Sequence, residues 1–159
     1  PREMLVLVSV AASFAINLAG FLAIVVALRL AGQGVHIPGL LPALLLYVPL
    51  FALALGVALV CASVQVFVRD LAQARGKLLP LLMFGAPVYY DRAQLPERFR
   101  ALLDFNPFTF YAESFRAWLL DYGVFEWLRF GIALLVAALV LLAGHWLFRR
   151  LDPHFEDFL

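Results

Sequence analysis

The chain has 159 residues, of which 65% are hydrophobic and only 14% charged, and its mean hydropathy is +0.94. A soluble domain carries about a quarter charged residues, so composition excludes a water-dispersed globular fold. Twelve Lys and Arg stand against eleven Asp and Glu, a net charge of +1 that offers no basic face for nucleic acid, and the single Cys61 excludes an intrachain disulfide.

Residues 4–28 form a first apolar block without one charged side chain. At ~1.5 Å per helical residue it outreaches the ~30 Å hydrocarbon core, which predicts a transmembrane helix with some tilt. Asn17, near its middle, is expected to bond to a neighbouring helix. Gly32, Gly34, Pro38 and Gly39 crowd the break that follows and predict a tight connection, with His36 solvated inside it. The second block, residues 40–68, is again uncharged and is expected to kink at Pro42 and Pro49. Cys61 reads as a small packing residue within it.

Arg69, Arg75 and Lys77 make the densest basic cluster, which the positive-inside rule places in the cytoplasm. A third span, about residues 71–90, is marginal, because its apolar part begins only at Leu78 and Pro87 closes it. The section up to Arg129 differs in kind. Two short amphipathic helices are predicted there, about residues 95–104 behind Pro96 and about 107–121 behind an Asn106 N-cap and Pro107. Phe108, Tyr111, Phe115, Trp118 and Leu119 fall on one face of the second. Neither helix can cross a bilayer, so both are expected to lie at the interface or to dip in and return. Residues 130–148 form the last span, closed by Arg149 and Arg150. Four spans put both ends of the chain in the cytoplasm and the two short helices outside. The two sides carry equal numbers of cations, so local density sets this orientation.

No Gly-x-x-x-x-Gly-Lys-Ser/Thr phosphate loop is present, since Gly76 and Lys77 run into Leu78 without the earlier glycine. Any ATP-driven step therefore belongs to a separate subunit. His36, His145 and His154 lack metal-ligand spacing, and no hydrolase motif occurs, so no catalytic residue, metal or cofactor is expected. Tyr89 and Tyr90 follow Pro87, while Phe105, Phe108, Phe110 and Tyr111 crowd the junction of the short helices. Two readings stay open for these aromatics. They form a belt that anchors short helices at the headgroup level, or a gate whose faces stack on the apolar faces of a sugar chain.

An ordered series of short motifs runs along nearly the whole chain. Pro1, Arg2 and Glu3 precede a span, and Val68, Arg69, Asp70 and Leu71 follow the next one. Then come the turn from Gly85 through Ala86, Pro87, Val88 and Tyr89 to Tyr90, followed by Leu95-Pro96-Glu97, Asn106-Pro107-Phe108 and Glu113-Ser114-Phe115-Arg116. Phe148, Arg149, Arg150 and Leu151, with Phe155, Glu156 and Asp157, end it. In this order the motifs resemble the permease subunits of type-2 ABC transporters, especially the exporters of polysaccharides and polyol phosphates such as O-antigen, capsule and teichoic acid. Ala86 stands where that family usually has Ser.

The resemblance implies that residues 1–159 are the C-terminal part of a six-span permease domain of the cell inner membrane, and Pro1 in mid-pattern reads as a cut in a longer chain. It implies an all-α integral membrane fold with four transmembrane helices and two short re-entrant helices between the last two. The partners it implies are a nucleotide-binding ATPase subunit, a second copy of the permease, a polysaccharide or glycolipid substrate and the membrane lipids. Under it, Tyr89, Tyr90, Phe105, Phe108, Phe110 and Tyr111 are candidates for the gate or substrate path, and Pro1, Arg2 and Glu3 lie beside the ATPase-coupling region. Two other functions fit the residues. One is export of drugs, lipids or small amphiphiles by the same architecture. The other is a membrane enzyme acting on lipid-linked sugars, for which Asp91, Asp104 and Asp121 are acidic candidates without a motif.

Overall fold

Lipid offers no hydrogen bonds, so a long uncharged block must satisfy its own backbone and coils into a helix. A computed structural model of the protein describes residues 2–65, 76–77, 80–81, 85, 90, 94–104, 106–120, 123 and 125–151. Helix α1 spans Arg2–Leu30, α2 Leu40–Gln65, α3 Glu97–Asp104, α4 Pro107–Leu119 and α5 Trp127–Leu151, with a 3-10 turn at Ile37–Gly39 leading into α2. No strand occurs among the described residues. Among the described residues, three helical stretches, Glu3–Leu30, Ile37–Gln65 and Trp127–Leu151, are long and apolar enough to cross a membrane. The protein is an all-α integral membrane protein. The span expected over residues 71–90 lies largely outside the described residues, as do Asp70 and the tail beyond Leu151.

The core is the pairing of α2 with α5, the most extensive helix contact among the described residues. Leu46 and Leu53 pack with Ala137, and Leu59 packs with Phe148, so the two helices run parallel. At their crossing Gly56 and Gly144 bring backbone against backbone. A Cβ on Gly56 would lie 2.7 Å from the Leu141 nitrogen and the Val140 carbonyl carbon, and one on Gly144 would overlap the Gly56 carbonyl. Helices in lipid gain nothing from hiding apolar surface, so dispersion at close approach and interhelical polar contacts hold them together. Pro49 is buried within α2, and the helix continues through it, leaving the Leu45 carbonyl without its intrahelical donor.

Helix α1 touches α2 through aromatic side chains. The Phe14 ring lies 5.1 Å from that of Phe51, and the Phe21 ring 5.5 Å from that of Tyr47. None of the most apolar stretch of α1 is buried against the rest of the chain. Ser9, Ser13 and Asn17 each donate to the carbonyl four residues back, at 2.8, 3.0 and 2.8 Å. The Asn17 amide thus bonds within its own helix rather than to a neighbouring one, because the carbonyl one turn back is always in reach.

Two contacts fix the ends of the bundle. Helix α1 closes on Gly32 in the left-handed conformation (φ 74°), with the Gln33 amide donating to the Leu28 carbonyl at 3.0 Å and the Gly32 amide to that of Arg29 at 3.2 Å. The chain then folds inward. The His36 amide donates to the Leu119 carbonyl at 3.0 Å, and its Nδ1–H to the Trp118 carbonyl at 3.2 Å. His36, expected in solvent, is half-buried because the last carbonyls of α4 have no intrahelical donor and need one from outside. Gly39 follows where any Cβ would overlap the Trp118 carbonyl. At the opposite end Glu3 accepts from Arg149 Nε at 3.3 Å and lies 3.7 Å from His145 Nδ1, which places the start of α1 beside the end of α5.

Two stability measurements in detergent check this architecture. Gly56→Ala and Gly144→Ala are each expected to cost about 1–3 kcal/mol through overpacking, whereas Gly20→Ala, which meets nothing within 4 Å, leaves the unfolding temperature unchanged or raises it. Equal effects at all three positions would contradict the crossing. His36→Phe keeps the backbone bond to Leu119 and loses the side-chain one, for a cost of about 1 kcal/mol.

Candidate gate at one end of the bundle

The short helices owe their positions to local chemistry. Pro96 precedes α3, and its carbonyl accepts the amides of Phe99 at 2.9 Å and Arg100 at 3.4 Å. The Arg100 guanidinium reaches back to the Leu95 carbonyl at 2.8 Å. Asn106 has an extended backbone (φ −85°, ψ 114°), and its side chain accepts the Phe108 amide at 3.0 Å. That N-cap, with Pro107 pre-set for the first turn, starts α4 sharply. Past its last turn the Leu120 amide donates to Arg116 and the Gly123 amide to Ala117, at 2.9 and 2.8 Å.

One face of α4 sinks into the bundle. Tyr111, Ser114 and Trp118 are buried, with Phe108 and Phe115 packed beside them against Leu46, Leu53 and Ala137. Phe115 lies 5.7 Å from the Phe21 ring of α1 and 5.6 Å from the Tyr47 ring of α2. The Trp118 ring stacks at 4.9 Å on Phe125, just ahead of α5. This short helix therefore touches side chains from α1, from α2 and from the segment just ahead of α5.

Of the residues singled out from sequence, the structure brings Phe108, Phe110 and Tyr111 together on α4, with the last two rings 5.5 Å apart. Phe108 and Phe110 are half-buried, and Tyr111 is 4% exposed. The buried hydroxyls of Thr109 and Tyr111 have no hydrogen-bond partner among the described residues. Tyr90 is half-buried, and its carbonyl accepts from Arg116 Nη1 at 3.3 Å, which ties the approach to α3 onto α4. Tyr89 and Phe105 lie outside the described residues, as do Pro1 and the side chain of Arg2. Glu3 lies at the far end, in the contact with Arg149 and His145. The described residues hold no group of three or more His, Cys, Asp or Glu that could bind a metal.

Sequence reasoning missed His36 and Gly39. A histidine between glycines and a proline is a donor in a turn, but its acceptor lies 82 positions away, and periodicity carries no information over that distance.

A family model described as ABC-2 type transporter matches residues 1–120, which include α1, α2, α3 and α4. No curated protein matches the chain. With three-quarters of its length matched and three membrane-crossing helices in place, the chain belongs to the ABC-2 type transporter family and is a multi-pass transport subunit that works with an ATPase partner.

Proposed function

We propose that this subunit is the C-terminal part of a homodimeric permease that moves a polysaccharide or lipid-linked glycan across the inner membrane, with α3 and α4 as its extracytoplasmic gate. The observation that carries this reading is the pair of buried hydroxyls on α4, Thr109 and Tyr111, which have no hydrogen-bond partner among the described residues. Such a group costs about 1–3 kcal/mol when left unmet. A sugar chain is a dense source of hydroxyl donors and acceptors that would meet both groups once α4 shifts. The rings of Phe108 and Phe110, with Tyr89, Tyr90 and Phe105 near them in sequence, suit the apolar faces of the same sugars.

The driving end lies opposite. Pro1, Arg2 and Glu3 sit beside the partner ATPase, and the Glu3 contact with Arg149 carries a displacement of α1 to α5. Nucleotide can switch the gate only if the ATPase binds the two permease states with different affinity. A fourth span over residues 71–90 agrees with the parallel course of α2 and α5, which both run towards the Glu3–Arg149 end while α4 packs at the other. Arg69, Arg75 and Lys77 favour a cytoplasmic Glu3–Arg149 end.

Depleting the partner ATPase is expected to trap polymer in the cytoplasm and strip it from the surface. Normal surface polymer combined with new drug sensitivity would instead favour an exporter of small amphiphiles. Tyr111→Phe separates gate from scaffold. It removes an unmet hydroxyl, so the unfolding temperature holds or rises, while polymer export falls several-fold; unchanged export removes that hydroxyl from the path.

A further inference from the structure

Helix α5 has two faces of opposite make-up. Ala133, Ala137, Gly144 and Phe148 turn into the bundle. On the other side of the helix, Leu128, Ile132, Leu135, Leu139, Leu142 and Trp146 recur at helical spacing, each between 53% and 78% exposed. From Phe130 to Gly144 the helix carries no polar side chain. A tryptophan stands at each end. Trp127 is 75% exposed next to the ion pair of Arg129 and Glu126, whose atoms lie 2.8 Å apart. At the far end the Arg150 guanidinium sits over the Trp146 ring, 5.0 Å from its centre. At ~1.5 Å per residue the helix rises about 28 Å between the two tryptophans, close to the ~30 Å of a hydrocarbon core.

We infer that this stripe is a boundary with bulk lipid, held at one depth by Trp127 in one headgroup layer and by Trp146 with Arg150 in the other. Indole has an apolar body and a polar N–H, so it settles where tails give way to headgroups. A guanidinium stacked on it lies at the level of the phosphates. Two such anchors, one hydrocarbon thickness apart, resist sliding in either direction. A second copy of α5 fits this face less well on two counts. Helices that pair in lipid bring small or polar residues to the contact, as α5 does on its inner side, whereas the centre of this stripe is leucine and isoleucine. A two-fold pairing would also set Arg149 and Arg150 against their own copies, like charge on like. Because Gly56 and Gly144 bring α2 onto α5, the anchors fix the depth of both helices. The inference does not depend on which cargo the transporter carries.

Spin labels on cysteine variants of the assembled transporter, with Cys61→Ala and in phosphatidylcholine vesicles, test it. Labels at Leu135→Cys and Leu139→Cys are expected to collide often with oxygen and rarely with a water-soluble nickel chelate. The oxygen-to-nickel ratio peaks there and falls several-fold towards Leu128→Cys on one side and Leu142→Cys on the other. Trp146→Leu, which removes one anchor, moves that peak towards Leu142. Low oxygen collision at Leu135 and Leu139 would mark a helix contact, and high nickel collision an aqueous path; either overturns the inference. So does a disulfide-linked dimer formed by Leu139→Cys in the same vesicles, which would put a second copy of the chain on the stripe. A peak that stays in place in Trp146→Leu overturns the anchoring.

Discussion

The fold depends on the approach of two backbones at Gly56 and Gly144. In water, α2 and α5 would be held by apolar burial, and a methyl group more or less at one position would be a detail. In lipid the surrounding tails are as apolar as leucine, so association rests on close contact and on polar groups that find partners. The missing Cβ atoms let the Gly144 backbone reach the Gly56 carbonyl. Everything else arranged on this pair, Leu46 and Leu53 with Ala137 above and Leu59 with Phe148 below, keeps its register only while that contact holds.

The two ends of the pair are finished by different chemistry. At one end charge is used, with Glu3 between Arg149 and His145, all partly exposed. Such contacts at a membrane surface are weak individually and easily exchanged. At the other end neutral bonds are used. The carbonyls of Trp118 and Leu119 receive the side chain and the amide of His36, and Gly39 lets the backbones close on each other. That end ties the turn after α1, the start of α2 and the finish of α4 into one unit.

Helix α4 is thereby held from several directions, yet the Thr109 and Tyr111 hydroxyls meet no partner among the described residues. Native interiors rarely leave such groups without partners, and those that do usually have a reason. A helix that is well packed but incompletely satisfied can have a second position close in energy. An apolar groove beside it, against α1, has the same character: space left at a joint rather than in a core.

Most of the architecture was legible in the sequence for one reason: lipid constrains length and charge strongly. The uncharged blocks at residues 4–28, 40–68 and 130–148 fall within α1, across α2 and within α5, and Asn106-Pro107 marks the start of α4 through purely local bonding. The face of α4 that is buried also followed from helical periodicity, since Tyr111, Phe115 and Trp118 recur at helical spacing. The tertiary structure alone decided which glycines meet, because Gly56 and Gly144 look no different in sequence from Gly20 and Gly131, which have open space around them. It also decided that His36 caps α4 and that Asn17 bonds to Ser13 within α1. Periodicity and composition report what each segment does with its own neighbours and its solvent, whereas these contacts depend on where distant segments stop in space.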